Sequence, residues 1–218
     1  MAWGPGRPKA AFTTEASLTP RSQNVRGRAT PGRDSGSMAD SSLHRTIVRS
    51  VDPVGPGDLA AARELHARCS PQTLRERYHG VRDAEEADRL LPHLLSPRFG
   101  HGVAARDRDG TLAGLGHLLW DGEGDEVELA LLVPDGRQRR GVGTALLRRL
   151  LTLAAGAGYT EIYAVTSPGG SGEHGVLALL RASGLTVGRH PDGETVVLSA
   201  PLAARPLPAP LDPAAPVP

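Results

Sequence analysis

The chain has 218 residues and a mass of 22.8 kDa, which fits one domain of ordinary size with loose ends. Hydrophobic residues make up 39% and charged residues 22%, proportions that allow a packed core. The net charge of +1 argues against a polyanion binder, the single cysteine excludes an intramolecular disulfide and a multi-cysteine zinc site, and aromatics at 3% argue against a nucleic-acid stacking platform.

Residues 1–37 are rich in Gly, Pro, Ser and Thr, and six cations face two anions for a local charge of +4. They have no apolar periodicity and no apolar stretch of the kind a secretory signal needs. The expectation is a disordered extension to about residue 42, with Met38 as an alternative start. At the other end, seven of the 18 residues in 201–218 are proline. Proline fixes φ and removes donors, so this reads as an extended tail. The foldable region is therefore about 43–200. It holds no apolar run long enough to span a bilayer.

Residues 43–51 read as an opening strand, broken by Pro53, Gly55 and Pro56. Asp58 is placed to cap a helix over 59–68, and Ser70-Pro71 starts a second helix carrying Leu74 and Tyr78. A third helical pattern runs over 83–95. Residues 101–106, 112–120 and 127–133 then form a three-strand meander, with Asp109-Gly110 in the first turn and Gly114 and Gly116 marking a bulge or a close backbone approach. A polar loop over 134–140 leads through Gly141 and Gly143 into an apolar helix at 144–157. A strand at 161–165, a Gly/Ser loop at 167–175, a short helix at 176–182 closed by Gly184, and a hairpin of 185–189 with 195–199 complete the order. That order is a mixed α/β sheet, mostly antiparallel and flanked by helices.

The chemistry concentrates at 127–147. A strand ends, a loop turns, and glycines enter a helix whose first N–H groups have no intrahelical partner. Such a helix start favours a phosphate, and Gln138, Arg139 and Arg140 add donors and charge beside it. A Walker-type loop is disfavoured, because Val142 stands where its lysine belongs; a Rossmann fingerprint is disfavoured, because Leu146 stands at its third glycine.

The pattern Gln138-Arg139-Arg140-Gly141-Val142-Gly143 after a strand resembles motif A of the GCN5-related N-acetyltransferases. The stretch from Cys69 through Ser70, Pro71 and Leu74 to Arg77-Tyr78 is similar to a Ser-Pro-x-Ser-Leu-x-x-Arg-Phe stretch of bacterial members. The resemblance covers most of 43–200 and includes the element order. It implies a fold with a splayed strand pair and acetyl-CoA as co-substrate, without a metal. Backbone groups of Leu131, Leu132 and Val133 would meet the pantetheine arm, and the segment Arg139, Arg140, Gly141, Val142, Gly143, Thr144 would hold the pyrophosphate. It further implies that Glu128 is the general base, since an amine must lose a proton to attack a thioester. The general-acid tyrosine of many members falls on Leu180, and the asparagine that often opens the last helix is replaced by Glu173 or His174. Water, His174, or a domain that binds CoA with little turnover are the three ways to account for this. The expected function is thus transfer of an acetyl group to a primary amine, a protein lysine or a small molecule, in a cytoplasmic monomer or homodimer without nucleic-acid or membrane partners. The alternative is a non-catalytic CoA-binding regulatory module.

Overall fold

In a computed structural model of the protein, the described residues are 48–120 and 124–202. The expectations for the basic N-terminus, for most of the Pro-rich tail and for the start of the opening strand lie outside them. Seven strands form one sheet in the order β1-β2-β3-β4-β5-β7-β6. The strands are β1 (Ser50–Pro53), β2 (Gly100–Arg106), β3 (Leu112–Leu119), β4 (Glu126–Leu132), β5 (Glu161–Thr166), β6 (Gly188–Asp192) and β7 (Thr195–Pro201). All neighbours are antiparallel except β4 and β5, which are parallel. Helices α1 (Leu59–Ala67), α2 (Pro71–Tyr78), α3 (Ala84–Asp88) and α4 (Leu91–Leu94) precede β2; α5 (Val142–Ala157) and α6 (Ser171–Ala182) flank β5 in sequence.

The element order matches the sequence reading, with five local differences. The opening strand is Ser50–Pro53, so Pro53 ends it rather than breaking it earlier. Asp58 does not cap α1; its carboxylate accepts from the Gly55 N–H at 3.0 Å and pairs with Arg106 at 2.6 Å. The pattern at 83–95 is two short helices, because Pro92 cannot continue a ladder from the turn before it. The loop expected at 167–175 already turns helical at Ser171. The first strand of the last hairpin lies three residues later than expected while the second begins at Thr195 as expected, and Pro191 sits on the edge strand β6, where a missing donor is tolerated. Strand β7 also continues to Pro201, and Leu202 N–H bonds Thr160 O at 2.7 Å.

The sheet is covered differently on its two sides. Strand β3 is buried along its whole length, as a central strand under helices on both faces must be. On one face lies α5, whose Leu146, Leu147 and Leu150 are fully buried with Val127, Leu129 and Ile162. Gly114 and Gly116 let this helix approach: a Cβ on Gly116 would fall 2.8 Å from Leu150 Cδ1, and one on Gly114 2.9 Å from Val142 Cγ1. The opposite face carries α1 against β3 and α2 against β4. Alternation along β4 therefore sends Val127 and Leu129 to α5 and sends Glu128 and Ala130 to α2.

Candidate active site

The loop after β4 begins with a single 3-10 turn (Asp135–Arg137) and ends at Gly141, whose φ is +81°. Glycine reaches that region without a Cβ clash. Arg139 also has a positive φ, +57°, a conformation that costs a non-glycine residue about 1 kcal/mol and that the surrounding loop imposes. The first N–H that α5 recruits is that of Ala145, to Gly141 O at 3.0 Å. The donors of Val142, Gly143 and Thr144 precede it and point out of the helix start. Arg139 and Arg140 are exposed beside them. Gln138 instead turns its amide back, donating to Val133 O at 3.1 Å, and so braces the loop against the end of β4. Two carboxylates fix the loop, one within it and one outside. Asp135 accepts from Ser70 N–H at 2.8 Å, Ser70 Oγ at 2.9 Å and Thr73 Oγ1 at 3.0 Å. Led by the Ser70 backbone donor, these bonds hold its carboxyl below the usual carboxylate range. Asp107, in the β2–β3 turn, pairs with Arg137 at 2.8 Å.

Strands β4 and β5 pair over three rungs only, Glu126 with Glu161, Val127 with Ile162 and Glu128 with Tyr163. Beyond the Glu128 rung, β4 continues to Leu132 and β5 to Thr166 without a ladder between them. The open edge of β4 at Leu131 and Leu132 thus leads from the Glu128 rung toward Val133 and the α5 start. Helix α2 roofs this gap on the Glu128 side. Ser70 caps it, accepting from Thr73 N–H at 3.2 Å, and also ties it to Asp135. Its middle residue Glu76 accepts from Ser171 Oγ of α6 at 2.6 Å. At its far end His79, with φ +39°, donates through Nε2 to Val165 O of β5 at 3.2 Å. One helix is thereby pinned to the loop after β4, to α6 and to β5.

The face beneath α2 is polar and desolvated. Burial pushes the half-buried Glu128 carboxyl above the usual carboxylate range, and the Arg77 charge pulls it part of the way back. His117 lies one residue pair along β3, opposite Ala130 where Leu119 is opposite Glu128, so it shares that face. It is 2% exposed, and burial drives its pKa down to about 3, so it is neutral. Behind them, Asp88, His66 and Tyr78 form a closed chain. His66 Nδ1 donates to Asp88 Oδ1 at 2.8 Å and the Tyr78 hydroxyl donates to His66 Nε2 at 2.8 Å. Burial lowers the His66 pKa and raises that of Tyr78 to about 12, so both are neutral and the chain is fully satisfied.

Residues 59–177, from the first helix into the last, match the family model described as the acetyltransferase (GNAT) family. The chain belongs to that family. Over 110 residues it is 39% identical to a mycothiol acetyltransferase from Geodermatophilus obscurus, a match covering 50% of this chain and 33% of that protein. The chain thus spans about a third of the length of this curated relative. Among solved structures, the GNAT domain of S. lividans PAT superposes with a TM-score of 0.59 at 21% identity, covering 70% of this chain and 89% of that one. A phosphinothricin acetyltransferase from Sinorhizobium meliloti, solved with AcCoA, superposes with a TM-score of 0.55 at 18% identity over 70% and 88% of the two chains. At these identities the superpositions speak to the GNAT fold alone.

Within this GNAT fold the residues singled out in the sequence fall into two groups. Glu128, the β4 end and the Arg139–Thr144 segment come together along one path. The positions where the resemblance puts the general-acid tyrosine and the opening asparagine, and the candidate acid His174, do not. Leu180 is sealed in the α5 core at 1% exposure. Glu173 is buried in a structural role, accepting from Gly169 N–H and from Arg189 Nε, both at 2.6 Å. His174 is on α6 rather than in a loop; it is exposed, with Nδ1 2.8 Å from Gly170 O. Cys69 is half-buried and its thiol is pushed up to about 12, chiefly by burial, so it stays protonated. Sequence reasoning missed Arg77, His117 and His66. Arg77 stood inside the quoted motif, but His117 and His66 carried no signal, since a lone histidine on an apolar strand or helix shows its neighbours only after folding. Among the described residues no group of three His, Cys, Asp or Glu is placed to hold a metal, and no helix is long and apolar enough to cross a membrane.

Proposed function

We propose that the protein is an acetyl-CoA-dependent N-acetyltransferase acting on a primary amine. The observation that carries this reading is the parting of β4 from β5 at the Glu128 rung, with the open edge running to a glycine-led helix start. In this reading the pyrophosphate sits on the N–H groups of Arg139 to Thr144, where the helix start favours an anion. The pantetheine amides meet the β4 backbone at Leu131 to Val133, and the thioester reaches Glu128. Exposed Arg139 and Arg140 neutralise the phosphates, and Gln138 keeps the loop in shape.

The amine nitrogen attacks the thioester carbon, the amide bond forms and the carbon–sulfur bond breaks. Glu128 takes the proton that the amine sheds, directly or across one water. With a leucine at position 180, which cannot donate a proton, water supplies the proton to the leaving thiolate. The relatives' printed names span mycothiol, phosphinothricin and the domain of a larger PAT, so the acceptor is stated as an amine of a small molecule or a protein lysine. The aliphatic side chain of Leu180, which has no proton to give a thiolate, favours a second reading, CoA binding without turnover. Thiol release from acetyl-CoA, followed with a panel of amines, separates the two. Release that depends on an amine and falls about a hundredfold or more in Glu128→Gln supports catalysis by this base; tight binding without release against any amine supports the second reading.

A further inference from the structure

Helix α2 lies across the parting of β4 and β5. Its start is tied to Asp135 after β4, and its end, through His79 Nε2, to Val165 O of β5, two residues past the last rung. Pro71, Gln72 and Arg75 form its exposed side, and Glu76 turns to α6. At about 100° per residue, Arg77 falls opposite that exposed side, in line with Ser70 and Thr73, which reach the loop after β4. Its side chain therefore runs beneath the helix, on the side that packs on β4, with the guanidinium carbon 4.7 Å from the centre of the buried Tyr78 ring. There its Nε and Nη2 are buried and find no hydrogen-bond partner among the described residues.

The β4 face below is open and polar. Ala130, between Glu128 and Leu132, is the smallest side chain on that face and keeps 7% exposure, while Glu128 is half-buried. Directly opposite Ala130 on β3 stands His117, 2% exposed, whose Nε2 is also buried and without a partner. The Arg77 charge is felt at both Glu128 and His117. Two unmatched polar groups, one of them a cation, thus flank one alanine beside the proposed base, an arrangement that costs stability until something pairs with it.

We propose that Arg77 and His117 form a carboxylate subsite for the acceptor, which is then an amino acid: its carboxylate lies on the Arg77 Nε–Nη2 edge above Ala130, and its amine reaches Glu128. The parallel N–H groups of that edge match both oxygens of a carboxylate. His117 adds a third donor in the tautomer that carries its hydrogen on Nε2. One guanidinium balances one negative charge, so a carboxylate suits the face and a dianionic phosphate, beside Glu128, does not. A protein lysine has no carboxylate near its amine and would leave the edge unmatched.

The inference rests on the acetyl-transfer reading, so its test has one arm that does not need turnover. The full chain is labelled with 15N, and the Arg77 Nε–H resonance is assigned by its loss in Arg77→Gln or, should that variant not fold, in Arg77→Lys. With CoA present, the protein is titrated with the standard amino acids and with their C-terminal amides. The expected result is a saturable downfield shift of the Arg77 Nε–H with one or more of the acids and none with the matching amides. No shift with any acid, or equal shifts with acid and amide, overturns the proposal. In the second arm, thiol release from acetyl-CoA is followed with the same pairs. The acid is expected to exceed its amide by about tenfold or more in kcat/KM, because the amide leaves the buried edge unpaired. Arg77→Gln should bring that ratio toward one; Arg77→Lys, which keeps the charge and lacks the paired edge, should lower it part of the way. A loss equal for acid and amide means a merely structural role for Arg77 and also overturns the proposal. An acid-specific shift in a protein that releases no thiol leaves the subsite standing and counts against acetyl transfer. Amines without a carboxylate that react as fast as the acids overturn the subsite and leave acetyl transfer standing.

Discussion

The two faces of β4 differ in nearly every physical respect, although they alternate residue by residue along one strand. Toward α5 the side chains are Val127 and Leu129, packed with Leu146, Leu147, Leu150 and Ile162. Toward α2 they are Glu128 and Ala130, among Arg77, His117, His66 and Tyr78. The first face is close-packed aliphatic surface that stabilises the sheet. The second buries ionisable groups, which costs stability unless partners compensate. The comparison teaches where a fold with one central sheet can place chemistry: on a face whose packing, here by Leu74, Leu115 and Leu132, leaves room for ionisable side chains between the aliphatic ones.

The largest effects should separate the two faces cleanly. Glu128→Gln is expected to lower kcat by about 10²-fold or more while leaving the unfolding midpoint in urea close to wild type. Leu150→Ala, on α5 against the other face, should do the reverse. It removes a fully buried side chain, so a loss of about 2–5 kcal/mol in urea unfolding is expected, with acetyl-CoA affinity retained wherever the protein is folded. If Glu128→Gln proved as destabilising as Leu150→Ala, the polar face would be doing the work of a core.

A smaller effect tests how closely α5 sits. Gly116→Ala places a Cβ 2.8 Å from Leu150 Cδ1, and about 1–3 kcal/mol of destabilisation is expected from the forced shift. Gly143→Ala, whose Cβ would meet only Leu179 Cδ2 at 3.6 Å, should fold like the wild type.

The polar face should also show itself in the pH dependence of stability. Burial lowers the pKa of His117 to about 3 and lowers that of His66. Below the ordinary histidine value the unfolded chain binds protons that the folded chain refuses, so stability falls as pH drops. The His117 contribution is complete above about pH 7 and declines from about pH 6.5 toward pH 3, by about 2 kcal/mol between pH 7 and pH 5. Urea unfolding at the two pH values, in the wild type and His117→Gln, should show a shallower pH dependence in the variant. The smallest destabilisation expected is that of Ser70→Ala, about 1 kcal/mol from a lost helix cap. It should also loosen Asp135 and raise the dissociation constant for CoA several-fold.

The same contrast governs what the sequence could reveal. The α5 face was legible because its signal is periodic. Leu146, Leu147 and Leu150 recur at helical spacing, and the glycines of β3 announced the close approach that a Cβ would block. The loop into α5 was legible because glycines at fixed spacing open a helix. The polar face was not, because its partners come from α1, α2 and β3 and are separated by up to half the domain. Asp58 shows the same limit on a smaller scale, since Arg106 competes for it across 48 positions. The break in the helical pattern at 83–95 falls at Pro92, a signal present in the sequence that the reading of one continuous helix did not use. The early start of α6 was hidden because Ser171, Gly172 and Gly175 are poor helix formers, and the helix there is held by Glu173 and by Glu76 of α2.

The most direct test is calorimetric titration of acetyl-CoA into the full chain, alongside Gly143→Ala and Gly143→Trp. The expected result is binding at one site per chain, kept by Gly143→Ala and abolished by Gly143→Trp, whose indole would cover the donors at the α5 start. A folded wild-type protein that binds no acetyl-CoA, or a Gly143→Trp variant that binds it as tightly as the wild type, would contradict the placement of the co-substrate along the parting of β4 and β5.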